Sequence, residues 1–115
     1  MRNISFALTT GQVRAKTKTV TRRLGWLNAK PGDRLQPVVK GMGLKSGETV
    51  ERIGAHIRLV SVRREPLNAI TADDVTREGF TMTPDEFVVL FCRSHKGCAP
   101  DTEVTRLEFV YEDVP

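Results

Sequence analysis

The sequence has few of the features that mark secreted or membrane proteins. Only 2 of its 115 residues are cysteine, and in a reducing compartment two cysteines are expected to be free thiols. The longest uncharged apolar run, Phe87 to Cys92, is far shorter than the ~20 residues that span a bilayer. The first residues lack the apolar stretch and the cleavage site of a signal peptide. These absences predict a cytoplasmic protein with no membrane partner and no obligate protein partner.

Acidic residues are also absent from the first 32 positions. Residues 1–64 carry 14 Lys and Arg against three acids, whereas residues 65–115 carry four Lys and Arg against 11 acids. A basic surface of this kind favours binding of a polyanion, most simply nucleic acid. In the alternative interpretation, the acidic half folds over the basic half and the charges cancel across the domain.

The length and the hydrophobic pattern predict a single α+β domain over residues 1–115. Alternating or β-branched segments predict strands over 4–8, 17–22, 34–40, 50–64 and 104–111. A change of inward parity near residue 60 indicates a bulge in the long fourth strand, and Pro37 restricts the third strand to an edge or a bulge. Residues 45–48 are typical of a hairpin turn.

Two or three short helices complete the predicted fold. A helical turn capped by Thr9 or Thr10 is expected to reach Arg14. Thr71 has the position of an N-cap before first-turn acids, and Gly79 can end that helix. Thr83 begins another helix, with proline at its first position and two acids in its first turn.

Four segments carry a family resemblance over nearly the whole chain: 16–23 (KTKTVTRR), 30–33 (KPGD), 60–65 (VSVRRE) and 105–109 (TRLEF). Their order and spacing resemble those of an ASCH domain, most closely the small single-domain members found in phages and prophages. The resemblance implies a small, mostly antiparallel β-barrel of the PUA-like superfold. That group is associated with RNA recognition, so RNA or a modified nucleoside is the implied partner.

Some ASCH proteins hydrolyse the amide of N4-acetylcytidine with a Lys, a Thr three residues later and a more distant Glu. Lys18 and Thr21 match this motif, and Glu78 lies where the carboxylate is expected. The implied roles are a partly neutral Lys18 that takes the Thr21 proton, and a Glu78 that positions the substrate amine or transfers a proton. Because residues 18 and 21 would face opposite sides of an ideal strand, this geometry requires a bulge or a strand end between them. Thr17 and Arg23 depart from the amidohydrolase pattern, which has a basic and an acidic residue there.

The RNA interpretation adds four candidate binding residues, namely Lys16, Arg22, Arg23 and Trp26. Guanidinium groups bind phosphate bidentately and stack on bases. Trp26 can stack on a base or fill the core. Two other functions therefore remain open at this point: a non-catalytic RNA-binding module and a single-strand-specific ribonuclease. Lys18, Thr21 and Glu78 would then be ordinary strand and helix residues.

Cys92, His95 and Cys98 have the three-residue spacing of metal ligands. A structural zinc site, however, normally has four ligands with closely spaced cysteine pairs. Cys92 also continues the apolar stripe of Phe87, Leu90 and Phe91 on the predicted helix. The sequence therefore predicts neither a metal nor a cofactor.

Overall fold

A computed structural model describes residues 1–41, 47 and 49–112, and it confirms the α+β class. The strands are β1 (Arg2–Ser5), β2 (Val20–Arg23), β3 (Arg34–Val38), β4 (Ile57–Pro66) and β5 (Glu103–Tyr111). The helices are α1 (Thr10–Arg14), α2 (Ala72–Arg77) and α3 (Pro84–Ser94), with 3₁₀ turns at Ala7–Thr9 and Leu67–Ala69. None of the helices in these ranges is long and apolar enough to cross a membrane.

The strands form one mixed sheet in the order β1-β3-β4-β5-β2. β1 pairs with β3 in parallel, and the other three pairs are antiparallel. The two ends of the order, β1 and β2, are edge strands, so closure into a barrel is not observed among the described strands. The long antiparallel pair of β4 and β5 forms the middle of the sheet and connects its two sides.

The expected bulge in the fourth strand is confirmed, but the strand covers a different range. Its register against β5 shifts between Leu59 and Ser61, so Val60 is the extra residue. The strand begins at Ile57 rather than near residue 50, because the chain turns at Gly54, where φ is +62°. Ile53 before this turn is nevertheless buried, and its amide donates to the Pro37 carbonyl.

Three other strand boundaries differ from the sequence prediction for local reasons. β1 ends at Ser5 because the chain then enters the 3₁₀ turn, in which the Thr9 amide donates to Phe6 O. β2 begins at Val20 rather than at residue 17, since the Thr19 amide is bound to Arg77 O on α2. β3 ends at Val38. The predicted edge position is wrong, because β3 lies between β1 and β4. Its register with β4 covers only residues 34 and 35, so Pro37 is paired on the β1 side alone and its missing amide proton costs no bond to β4. The turn predicted over residues 45–48 falls mainly outside the described residues.

Both predicted N-caps of the longer helices are present. The Thr71 hydroxyl accepts a hydrogen bond from the Asp74 amide at the start of α2. Thr83 and Glu86 form a reciprocal capping box at the start of α3, with Pro84 in the first turn. These caps satisfy amides that the first helical turn leaves without partners. They fix where α2 begins and therefore where its acidic residues lie.

Within the part of the chain that the structure describes, the apolar core consists of two clusters. The first covers the sheet and includes Ile4, Phe6, Leu35, Ile57, Leu59, Leu107 and Phe109. The second lies under the helices and includes Leu67, Val75, Phe87, Phe91 and Val104. Because β5 contributes to both clusters, it joins the sheet to α2 and α3. Charged side chains of β2, β5 and α2 are buried close to this junction.

Candidate functional site

A cleft of about 210 Å³ opens between the start of the chain, β2 and the two longer helices. Its polar lining residues are Ser5, Thr9, Lys18, Thr21, Arg22, Arg23, Glu78, Ser94 and His95. Its apolar lining residues are Phe6, Ala7, Leu8, Phe80, Phe87, Leu90 and Phe91. All three residues of the amidohydrolase motif therefore line one cleft.

The start of β2 brings Lys18 and Thr21 to the same cavity. Lys18 lies two residues before the strand begins, so the alternation of strand side chains does not apply across the pair. The backbone at residue 19 is held on both sides, because the Thr19 amide donates to Arg77 O and its carbonyl accepts from the Phe109 amide. The strand therefore begins between Lys18 and Thr21, which allows two residues at an odd spacing to face the same cavity.

Lys18 and Glu78 form a buried ion pair inside the cleft. The Lys18 Nζ donates to Glu78 Oε1 at 2.7 Å and to the Glu78 backbone oxygen at 2.8 Å, and both side chains are only 3% exposed. Burial lowers the pKa of Lys18, although the neighbouring Glu78 charge opposes this effect. A neutral Lys18 amine has two hydrogens and one lone pair. If both hydrogens are donated to these two oxygens, the lone pair can accept a proton from a third group.

Arg23 binds the hydroxyl of Thr21. Its Nε donates to Thr21 Oγ1 at 3.1 Å, while its Nη2 donates to the Ser5 carbonyl at 2.6 Å and its guanidinium lies 4.9 Å from the Phe6 ring centre. Burial lowers the pKa of Arg23 to about 10, so the group is still a cation at neutral pH. Among the described residues the Thr21 hydroxyl donates to no acceptor. Its proton is therefore available, and a cation lies beside its oxygen.

A second carboxylate lies one helical turn before Glu78 and forms a network that the sequence did not indicate. Asp74 accepts from Arg106 Nε at 2.6 Å and Nη2 at 3.0 Å, and from Arg22 Nη2 at 2.6 Å. Arg22 also contacts Glu78 Oε2 at 3.3 Å and Glu65 Oε2 at 3.1 Å. The Arg106 hydrogen bonds in particular hold the pKa of Asp74 well below its usual range, although burial opposes the shift. Asp74 itself is visible in the sequence only as a first-turn acid, because its arginine partners are 32 and 52 residues away.

The structure separates the four residues that the RNA interpretation grouped together. Arg22 lines the cleft, but it is 3% exposed and is bound by three carboxylates, so it is not part of an exposed basic surface. Arg23 lines the cleft but is bound internally. Lys16 is exposed and is not among the residues that line the cleft. Trp26 is half-buried against the sheet cluster, with the Arg2 guanidinium 3.7 Å from its ring centre.

Several basic residues of the first half of the chain pair with acids of the second half. Lys18 and Arg22 do so inside the protein, and Arg34 and Arg58 both bind Glu112 near the surface. This arrangement agrees with the cancellation of charge across the domain for these residues. The positive charge of these four residues is therefore offset by acids of the second half.

Cys92 and Cys98 are free thiols with their sulfur atoms 3.8 Å apart. The His95 ring stacks on Phe91, with 4.0 Å between the ring centres. No group of three or more His, Cys, Asp or Glu side chains that could hold a metal occurs within the described ranges. The three-residue spacing therefore does not correspond to a cluster of ligands here.

Comparisons with known proteins relate the chain to others through its fold. No protein-family model matches the sequence, and no curated protein does either. A solved structure, that of protein EF3133 from Enterococcus faecalis V583, which is labelled with the family DUF984, matches with a TM-score of 0.66. The two chains are 17% identical, and the match covers 98% of this chain and 77% of that one. At this identity, the likeness shows that the chain shares the fold of EF3133.

Proposed function

We propose that this protein is an ASCH-type amidohydrolase that removes the acyl group from a modified nucleoside such as N4-acetylcytidine. The observation that supports the proposal is that Lys18, Thr21 and Glu78 line the same cleft, with a buried lysine whose pKa is lowered. The resemblance of the chain to ASCH domains names the substrate class. The cavity fits this class because it has a polar end for the amide and aromatic side chains for a base.

The proposed reaction begins with neutral Lys18 as the base. Lys18 takes the Thr21 hydroxyl proton while Thr21 Oγ1 forms a bond to the acyl carbon, and the carbonyl electrons move to its oxygen. When the C–N bond breaks, the Lys18 ammonium returns a proton to the departing N4 amine, which leaves as cytidine. Water then attacks the threonine ester and gives a proton to Lys18, and Lys18 passes that proton to Thr21 Oγ1 as the ester bond breaks. Acetic acid leaves and ionises to acetate and a proton. The sum consumes one water molecule for each amide.

Arg23 and Glu78 support this chemistry in different ways. The Arg23 guanidinium stabilises negative charge on the Thr21 oxygen or on the carbonyl oxygen that forms beside it. Glu78 holds the Lys18 amine through two of its oxygens and so directs the remaining lone pair. Arg23 thus has a chemical role at the position where an acid stands in the amidohydrolase pattern.

The direct test incubates the purified protein with N4-acetylcytidine and measures cytidine and acetate by mass spectrometry. We expect Thr21→Ala to abolish hydrolysis, while binding of the nucleoside weakens by no more than about tenfold, because a lost hydroxyl hydrogen bond is worth only ~0.5–1.5 kcal/mol. Lys18→Arg should also be inactive, because arginine does not give up its proton. Thr17→Ala and Lys16→Arg are matched controls, since both residues are exposed and do not line the cleft.

The pH dependence of the hydrolysis rate tests the same mechanism independently. Because the base is neutral Lys18, the rate should rise with pH as that group loses its proton, at a pH below the usual lysine pKa of 10.5. Thr21→Ala and Lys18→Arg variants that match the wild-type rate would refute the mechanism. A wild-type protein that is inert toward acylated nucleosides would refute the function, and the same mixtures with single-stranded RNA would then show whether it binds or cleaves RNA.

The finer fold assignment belongs to the same proposal. We propose that the sheet is that of a PUA-like ASCH domain that acts in the cytoplasm. Three of its four strand pairs are antiparallel, which agrees with this assignment. Amide hydrogen exchange of the two edge strands provides a test: closure of the sheet would protect the outer amides of β1 and β2, whereas free edges would exchange rapidly.

A further inference from the structure

A continuous aromatic wall leads from the reactive lysine to the other end of the cleft. The Lys18 Nζ lies 5.8 Å from the centre of the Phe80 ring, and Phe80, Phe87 and Phe91 follow at ring-centre spacings of 5.8 and 6.2 Å. The wall ends at His95, which stacks on Phe91 at 4.0 Å with an angle of 16° between the rings. His95 is thus the polar side chain at the opposite end of this series of contacts from Lys18.

The hydrogen bond of His95 determines which of its ring nitrogens carries the proton. Its Nδ1 lies 2.9 Å from the Phe91 carbonyl oxygen. Because a carbonyl oxygen only accepts, Nδ1 must be the donor, and in the neutral ring Nε2 is therefore an acceptor. Among the described residues Nε2 has no hydrogen-bond partner. The stacked ring and the Nδ1 bond hold this free acceptor in one orientation.

The shape of an N4-acylated cytidine matches this order of groups. Its amide is attached at C4 of the pyrimidine and its sugar at N1, on opposite sides of the ring. With the amide at Lys18 and Thr21, the base contacts the phenylalanine side chains that line the cleft, and apolar contact with these rings stabilises it. We place the sugar toward His95, because His95 lines the same cleft and follows Phe91 in the series of ring contacts.

We propose that His95 is a specificity residue that accepts a hydrogen bond from a ribose hydroxyl of the substrate. This inference rests on the proposed function, since it places the amide at Lys18. It implies that the cleft prefers a nucleoside over the free acylated base. The motif of Lys18, Thr21 and Glu78 by itself makes no such distinction, because it concerns only the amide.

The test compares two substrates that differ only in the sugar, N4-acetylcytidine and N4-acetylcytosine. We expect His95→Phe, which keeps a stacking ring but has no acceptor, to raise KM for the nucleoside about threefold to tenfold, as expected for one lost hydrogen bond. The values of kcat for both substrates and KM for the free base should stay within about twofold. His95→Gln retains an acceptor and should recover part of the preference. Lys96→Ala is the matched control, because Lys96 is the exposed neighbour of His95 and is not among the residues that line the cleft.

A purely structural role for His95 predicts a different pattern. It would change KM for both substrates equally or lower kcat, and either result would overturn the proposal. An unchanged KM for the nucleoside in His95→Phe would also overturn it.

Binding of the products cytidine and cytosine, measured by calorimetry, separates this inference from the proposed function. If the wild type hydrolyses nothing but prefers cytidine, and His95→Phe abolishes this preference, only the enzymatic function fails. If the wild type hydrolyses the amide but binds both products equally, only the role of His95 fails. If it neither hydrolyses the amide nor prefers cytidine, both fail.

Discussion

Asp74 and Glu78 are two buried carboxylates one helical turn apart, yet their surroundings differ in one chemical respect. Both contact Arg22, but the second partner of Asp74 is Arg106 and that of Glu78 is Lys18. Arginine keeps its proton in proteins, whereas a buried lysine can lose it. The Asp74 site is therefore a fixed electrostatic link between α2, β2 and β5. The Lys18 partner of Glu78 can lose its proton, and Lys18 and Glu78 are the pair that lines the cleft.

Removal of the Asp74 carboxylate should have the largest effect on stability. Asp74→Ala leaves Arg22 and Arg106 buried without a shared anion, and breaking a buried ion pair in this way costs about 3–5 kcal/mol. Urea unfolding measures the loss, and Asp73→Ala in the same helical turn is the exposed control whose midpoint should hardly change. Asp74→Asn, which keeps the side-chain volume, is the variant to measure if Asp74→Ala does not fold. If both Asp74→Ala and Asp74→Asn are as stable as the wild type, the ion pairs of Asp74 do not contribute to stability.

Acid should weaken the Asp74 site by the same mechanism. The pKa of Asp74 in the folded protein lies below its usual value of 3.8. The stability that this group contributes is therefore complete above pH 3.8 and is lost as the pH falls toward the folded-state value. We expect unfolding free energies measured between pH 5 and pH 2 to fall more steeply for the wild type than for Asp74→Asn. Equal slopes would mean that other carboxylates dominate acid unfolding.

Glu78→Gln tests the Glu78 site. It should lower the free energy of unfolding less than Asp74→Asn does. Lys18 can respond to the lost charge by releasing its proton, so the cost should be about 1–3 kcal/mol, as for a buried group with an imperfect partner. Without Glu78 the folded-state pKa of Lys18 falls further below 10.5. The unfolded variant then binds more protons than the folded variant does. Its free energy of unfolding therefore rises with pH, and the difference from the wild-type value becomes smaller. A difference in unfolding free energy between wild type and variant that does not depend on pH would mean that Lys18 keeps its proton.

A further prediction concerns the backbone beside Glu78. Gly79 has φ of +96°, and a Cβ at this position would lie 2.8 Å from Gln12 Cγ. Gly32 has φ of +95° but no heavy atom within 4 Å of such a Cβ. Both alanine variants should lose about 1–2 kcal/mol through the left-handed backbone, and Gly79→Ala should lose more through the clash. Because the Glu78 backbone oxygen accepts from Lys18 Nζ, Gly79→Ala should also lower the hydrolysis rate, whereas Gly32→Ala should not. Equal effects of the two substitutions on stability and on rate would argue against a tight contact between residue 79 and Gln12.

The features that the sequence predicted correctly depend on residues close together in the chain. Thr71 and Thr83 cap helices through amides three residues away, and the bulge at Val60 follows from a change in alternation between adjacent residues. The strand boundaries were less accurate. β2 begins late because residue 19 is bound to α2, and such a contact between distant segments leaves no periodic signal in the local sequence.

The candidate site divides in the same way. The motif residues Lys18, Thr21 and Glu78 were found through a family resemblance, and the fold brings them to one cleft. The aromatic wall was visible only in part, since Phe87 and Phe91 belong to a helical stripe whereas Phe80 precedes the helix. The sequence indicates His95 only as a candidate metal ligand, and its stacking on Phe91 has no separate signal in the sequence.

The sequence by itself determined the α+β class, the starts of the two longer helices and the bulge in the longest strand, because capping and side-chain alternation act over a few residues. Only the tertiary structure decided which charges are buried and how they pair. Arg22 looks like an exposed member of a basic segment in the sequence, but the fold places it among Glu65, Asp74 and Glu78. The physical reason is that desolvation and Coulomb energies depend on all neighbours in space, and most of these neighbours come from distant parts of the chain.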